Sequence, residues 1–209
     1  HAPLINEYGW LWLNRDGTPT RLTENLYPQL LGTTNSTARE RLDLYAYLLG
    51  AKTEFWRAHR HYAGIIHFVY LTCSYPGVYT ADHFRDVTRL KLDPAFADYM
   101  GEAFKPLGVY INFFHPTLQA CSSRTFPVML INDEAKPVSG KLLLTLENEK
   151  GKAVARAEQP FAMTALGDQT LQLPLTIPDT PGKYTLKATA QPAKGGATLS
   201  RRWVKVESQ

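Results

Sequence analysis

The sequence predicts an α/β region followed by an all-β region, the change falling near Gln119. Up to that point apolar runs of strand character alternate with patterns of helical period, which is how parallel strands joined by crossover helices read. Beyond it, apolar residues recur every second position between turn signals, as in a sandwich of short strands. The predicted domains are residues 1–118 and 119–209.

The first region opens on Pro3-Leu4-Ile5-Asn6-Glu7-Tyr8-Gly9-Trp10, a short apolar strand that delivers a carboxylate into a glycine- and aromatic-rich turn. A helix follows Thr37-Ala38-Arg39-Glu40, where the Thr37 hydroxyl takes a free amide and Glu40 reaches back, a capping box. Leu42, Tyr45, Leu48, Leu49, Lys52 and Phe55 then line one largely apolar stripe, and the helix runs to about Arg60. Next, the run from Ala63 to Leu71 is continuous rather than alternating, as expected of a strand covered on both faces. Asp93-Pro94 starts another helix with an acid at the N-cap and proline in the first turn. Phe96, Tyr99, Met100, Ala103 and Phe104 supply its buried side. Two strands cannot bury their own faces, so this region is not expected to close by itself.

In the second region Phe126, Val128 and Leu130, then Leu142, Leu144 and Leu146, step by two, although Met129 and Leu143 blur the alternation. Leu171 and Leu173, Tyr184 and Leu186, and Val204 and Val206 are cleaner pairs; Ala153, Ala155 and Ala157 are a weaker strand. Asn132-Asp133, Glu149-Lys150-Gly151, Leu166-Gly167-Asp168, Asp179 to Gly182 and Lys194-Gly195-Gly196 are the turns between them. Six or seven short strands at this spacing predict an immunoglobulin-like β-sandwich.

The chain has 209 residues, 44% hydrophobic and 20% charged, with a formal net charge of +4. Basic residues are scattered among acids rather than gathered into a stripe, which argues against nucleic acid as a partner. No apolar run approaches the ~20 residues of a membrane span. Cys73 and Cys121 allow at most one bridge and no four-cysteine zinc site. His59-Arg60-His61 reads as a helix end rather than a ligand pair, and copper chelation by His1 lacks a second placed histidine. No metal and no cofactor are expected.

Glu7 is the candidate catalytic residue. A buried strand tipped by an acid, with rings beside it, is how sugar-cleaving barrels present a carboxylate. Trp10 and Trp12 follow in the first loop, where aromatic faces suit the C–H face of a sugar. Asn6 stands beside Glu7, and Tyr75 and Asp82 lie in the loop after the second strand, where barrel sites gather their contacts. His67 sits within that strand, as a hydrogen-bonded core histidine or as part of a pocket floor.

Pro3-Leu4-Ile5-Asn6-Glu7-Tyr8-Gly9 resembles the seventh-strand motif of family 2 glycoside hydrolases, the β-galactosidase, β-glucuronidase and β-mannosidase group. The resemblance implies a partial (β/α)8 barrel here, made of the seventh and eighth strand–helix units, followed by a C-terminal β-sandwich. It implies a retaining mechanism with Glu7 as nucleophile and an upstream glutamate as acid/base. Ala63 to Phe68 stands where the eighth strand follows; many members place a tryptophan there, and this chain has His67 nearest. The Asn6-Glu7 pair also matches the fourth strand of such barrels, but only one further strand–helix unit precedes the sandwich.

The expected partner is a carbohydrate substrate. A companion chain or upstream segment is expected to complete the barrel, or copies of the chain to associate through open edges. A secreted or periplasmic location is implied by the resemblance. The alternative reading is a non-catalytic carbohydrate-binding or structural sandwich module, with Tyr184 and Trp203 as the aromatic candidates.

Overall fold

A computed structural model describes residues 3–61 and 63–208. The chain forms two compact units, His1–Gly101 and Glu102–Gln209. The division falls in the last turn of a helix, earlier than the expected boundary at 118.

In the first unit, β1 (Leu4–Asn6) leads through a long loop to α1 (Leu26–Leu31) and α2 (Ala38–Ala58). Then come β2 (Gly64–Ile66), the short β3 (Phe84–Asp86) and β4 (Lys91–Leu92), and α3 (Pro94–Ala103). β1 and β2 pair in parallel, with Leu4, Ile5 and Asn6 opposite Gly64, Ile65 and Ile66. β3 and β4 make an antiparallel pair of their own.

Both halves of the capping box form at the start of α2. Thr37 accepts from the Glu40 amide at 3.2 Å, and the Glu40 carboxylate accepts from the Thr37 amide at 2.7 Å. Asp93 caps α3, accepting from the Ala95 amide at 3.0 Å. Tyr8, Trp12, Leu13, Tyr27, Leu44, Tyr45, Leu49 and Met100 make the core of this unit.

The expected strand across 63–71 is confined to Gly64–Ile66. A strand persists only where its amides and carbonyls find ladder partners, and among the described residues β2 has one neighbour, β1. The rest of the apolar run is a loop. There Phe68 meets Trp12 edge-on at 6.0 Å and Tyr70 meets Phe84 at 5.5 Å. Leu4 and Ile66 are 52% and 50% exposed, so an apolar face of the two-stranded sheet is bare. A (β/α)8 barrel is not formed by the described residues.

The second unit is a β-sandwich. A three-stranded sheet of β5 (Leu107–Ile111), β7 (Ser123–Asn132) and β10 (Asp168–Thr176) has the order β10-β7-β5. A five-stranded sheet, β6-β12-β11-β8-β9, comprises β6 (Thr117–Gln119), β8 (Val138–Asn148), β9 (Ala153–Met163), β11 (Gly182–Pro192) and β12 (Thr198–Glu207). All pairings are antiparallel except β6 with β12.

Phe126, Val128, Leu130, Leu142, Leu144, Leu146, Leu173, Leu186 and Val206 fill the space between the sheets. Met129 and Leu143 fall on the other faces and are half-buried, so the blurred alternation resolves into two sides of one strand each. The Tyr184 hydroxyl donates to the Thr180 carbonyl at 2.8 Å, fastening the entry of β11 in the manner of a tyrosine corner. The expected boundary at 118 leaves β5 in the first region and cuts β6; in the structure β5 pairs with β7, and β6 with β12.

Candidate functional site

Glu7 follows the last residue of β1, and its amide donates to the Ile66 carbonyl at 3.2 Å, extending the parallel ladder by one bond. Its φ is +55°, a left-handed conformation that a non-glycine residue adopts at a cost of order 1–3 kcal/mol. The side chain is exposed and makes no hydrogen bond among the described residues.

The residues after Glu7 explain the rest of the motif. Tyr8 turns inward, and its hydroxyl lies 2.6 Å from Thr53 Oγ1. Because the Thr53 hydroxyl donates to the Leu49 carbonyl at 2.9 Å, Tyr8 is the donor of that bond. Burial raises the Tyr8 pKa, while the Thr53 bond and the Arg57 charge oppose the rise. Gly9 has φ +74°, and a Cβ there would stand 2.6 Å from Leu49 Cδ1. The Glu-Tyr-Gly run is thus a strand tip, an anchor to α2 and a point of close approach.

Trp10 is 56% exposed and stacks on Trp12, with ring centroids 5.4 Å apart at 29°. Trp12 is 2% exposed, wedged between Trp10 and Phe68, and its indole nitrogen has no hydrogen-bond partner among the described residues. The expectation that Trp12 touches a sugar is therefore corrected: it supports the exposed ring of Trp10 instead.

The loops after β1 and β2 are tied together by Arg15 and Asp82. Arg15 Nε donates to Asp82 Oδ1 at 3.0 Å and Nη2 to Oδ2 at 2.6 Å; Nη2 also reaches the Thr72 carbonyl at 2.9 Å. The same carboxylate accepts from the Thr72 and Phe84 amides, each at 3.1 Å. Burial alone would raise the Asp82 pKa, but the Arg15 and amide hydrogen bonds outweigh it and hold the carboxyl below its ordinary value. The Arg15 amide donates to Ser74 Oγ at 3.0 Å, and the Arg21 amide to the Val78 carbonyl at 2.9 Å. Asp82, expected as a substrate contact, has a fully buried side chain and oxygens engaged by four donors, so it is a structural clamp.

His67 follows β2 directly, as Glu7 follows β1. Its Nε2 lies 2.9 Å from Nε2 of His83. Burial pushes the His67 pKa down to about 4, with the Tyr8 backbone opposing it. Burial also holds His83 well below the ordinary value, helped by the neighbouring His67 and opposed by Asp82. His67 is therefore a hydrogen-bonded, half-buried ring rather than an open contact. The partnership was missed in the sequence because nothing in the spacing links two histidines 16 positions apart.

Asn6, Trp10 and Tyr75 remain exposed near the strand tips and in the two loops. Among the described residues, no group of three or more His, Cys, Asp or Glu is placed to hold a metal. His59 closes the end of α2, its amide bonded to the Phe55 carbonyl at 3.1 Å, and His1 lies outside the described residues. Cys73 and Cys121 are both free and exposed. No helix among the described residues is long and apolar enough to cross a membrane.

No family model matches the chain, and no curated protein does. Solved structures similar to it include β-glucosidase from Listeria innocua, at TM-score 0.40 and 13% identity over 51% of this chain and 16% of that one. A β-glucuronidase from glycoside hydrolase family 2 is similar at TM-score 0.36 and 12% identity, over 48% and 11%. Escherichia coli α2-macroglobulin is similar at TM-score 0.39 and 13% identity, over 49% and 7%. The chain thus spans only a small part of these proteins, and likeness at this level fixes neither family nor activity.

Proposed function

We propose that this chain is the C-terminal part of a retaining β-glycoside hydrolase, with Glu7 as the nucleophile. The observation that carries the reading is the placement of Glu7 at the C-terminal tip of one of two parallel strands, the end at which barrel enzymes gather their catalytic groups. Two further features support it. The backbone at Glu7 is held in a left-handed conformation, and such outliers gather at functional sites. The sheet of β1 and β2 leaves apolar side chains bare, as staves awaiting neighbours would.

On this reading Glu7 Oε attacks the anomeric carbon and forms a glycosyl ester as the aglycone departs with a proton from a second carboxylic acid. Water then cleaves the ester, that second group now acting as base. The second carboxyl comes from outside the described residues, about 5–5.5 Å from Glu7 as retention requires. The exposed Glu7 side chain needs hydrogen-bond donors from the same source, because a nucleophile must be held in place. Asn6, Trp10 and Tyr75 are the contacts proposed for substrate, with Trp10 offering its outer face to a sugar ring. An upstream segment, a companion chain or a second copy supplies the remaining strands.

Kinetics of Glu7→Gln in the protein with its barrel complete test this. Near-total loss of aryl glycoside hydrolysis with folding retained supports the nucleophile, and unchanged turnover removes it.

A second reading, a structural sandwich module with Glu7 incidental, draws on the closed core of residues 102–209. Tyr184 is largely buried with its hydroxyl engaged, which leaves it no face for a sugar. Binding of a polysaccharide by the sandwich would instead favour a carbohydrate-binding role.

A further inference from the structure

Two of the fastenings of the segment between β2 and β3 differ in chemistry. At its far end the Arg15–Asp82 pair, with the Thr72 and Phe84 amides, is a charged clamp. At its near end the fastening is the neutral bond between His67 and His83.

Two Nε2 atoms at 2.9 Å require one donor and one acceptor. The two neutral rings meet that requirement in opposite tautomers, His67 or His83 being the donor. A first added proton must go to a ring nitrogen outside the bond, leaving the bond formed but placing a charge in the interior. A second makes both Nε2 atoms donors, and the bond is lost.

The surroundings disfavour an imidazolium on balance, burial outweighing the Tyr8 backbone at His67 and Asp82 at His83. His83 stacks on Phe96 with centroids 3.7 Å apart at 10°, and leans on Tyr45 of α2 at 4.8 Å. His67 meets the Tyr8 ring edge-on at 5.7 Å, and its enclosed Nδ1 has the Tyr8 backbone nearby but no hydrogen bond of ordinary geometry among the described residues. The phenols of Tyr8 and Tyr45 are both shifted upward by burial and stay neutral. Of the nearby carboxylates, Asp82 is engaged by Arg15 and Asp93 by Arg39 at 3.0 Å; Arg57 acts on Tyr8, and Glu7 is exposed.

We propose that the His67–His83 pair is an acid-labile latch, holding residues 67–71 against the body of the first unit and releasing them on acidification while the Arg15–Asp82 clamp keeps the loop anchored from Thr72 onward. The latch stands on this geometry alone. Its consequence for catalysis, loosening the wall beside Glu7 in acid, rests on the proposed function.

The test is imidazole and amide NMR on the full chain from pH 7.5 to 4.5, with the ring signals assigned from single-histidine variants. At neutral pH one ring should carry its proton on Nε2 and the other on Nδ1, and neither should titrate near 6.5. Nuclear Overhauser contacts between the rings of Phe68 and Trp12, whose centroids lie 6.0 Å apart, should weaken at least twofold on acidification, while the Thr72 and Phe84 amides, bonded to Asp82, keep their protection from exchange. His83→Phe keeps a ring against Phe96 but cannot bond His67, and should give the weakened Phe68–Trp12 contacts already at pH 7.5. If that variant does not fold, His67→Phe gives the same readout at a half-buried position. Titration of either ring near 6.5, Phe68–Trp12 contacts independent of pH, or their loss together with the protection of Thr72 and Phe84 would overturn the latch. Each outcome is read without any glycoside, so it stands or falls apart from hydrolysis.

Discussion

Replacing Asp82 by Asn should unfasten the two loops of the first unit at little change in volume. The carboxylate accepts two bonds from Arg15 and two from backbone amides, with its side chain fully buried. An asparagine presents one acceptor oxygen and turns an NH2 group toward donors, so at least two of the four bonds fail. Breaking a buried pair from one side costs about 3–5 kcal/mol. The Arg15 side chain is 25% exposed and regains water, which places the expected loss near the lower figure, about 3 kcal/mol. Urea unfolding followed by tryptophan fluorescence reads this, because Trp10, Trp12 and Trp56 lie in the first unit and Trp203 in the second. With m of about 1–3 kcal/mol/M, the first transition should move down by roughly 1–3 M and the second should not move. Adding Arg15→Met to Asp82→Asn should cost less than Arg15→Met costs in the native chain, since part of the partnership is already lost. A shift under about 0.3 M, or equal shifts in both transitions, would refute the clamp.

Other consequences are as direct. Tyr184→Phe removes the bond to the Thr180 carbonyl and should cost the second unit about 1 kcal/mol, seen as a lower melting temperature for that unit alone. Gly9→Ala puts a Cβ into Leu49 at a φ of +74°, and should destabilise the first unit by roughly 1–3 kcal/mol in the same urea assay. Acidification should weaken the first unit. Folded His67 stays neutral down to about pH 4, whereas the unfolded ring takes a proton near 6.5. The unfolded state therefore binds more protons between those values, so stability falls as pH drops through them. Thermal melts at pH 7 and pH 5 check this, and His67→Phe should flatten the dependence.

The parts legible in the sequence are those decided by local chemistry. Thr37 and Glu40 are three residues apart, so the capping box is written in full before any tertiary contact forms, and both its bonds are present. The sandwich strands show their period because one face meets a core and the other does not. β5 carries no such contrast: Gly108 to Ile111 are all buried, and an evenly buried run has no period to read. The run from Ala63 to Leu71 misleads for the opposite reason. Its composition is that of a covered strand, while the ladder partners that would extend it are absent from the described residues. At the site, Gly9 and Tyr8 show why the motif has its letters, but only once Leu49 and Thr53 of α2 stand beside them. Trp12 and Asp82 have the residue types of a sugar site and positions inside the fold, a distinction that depends on contacts with Phe68 and Arg15.

The central claim, that Glu7 bonds covalently to a sugar, is tested most directly by trapping the ester. The protein with its barrel complete is incubated with a panel of activated 2-deoxy-2-fluoro β-glycosides of gluco, galacto, manno and glucurono configuration, then digested and mapped by mass spectrometry. One fluoroglycosyl group per active site on the peptide holding Asn6-Glu7-Tyr8, with fragmentation placing it on Glu7, is the result predicted. A label on any other carboxylate, in a protein that hydrolyses the parent glycoside, would contradict it.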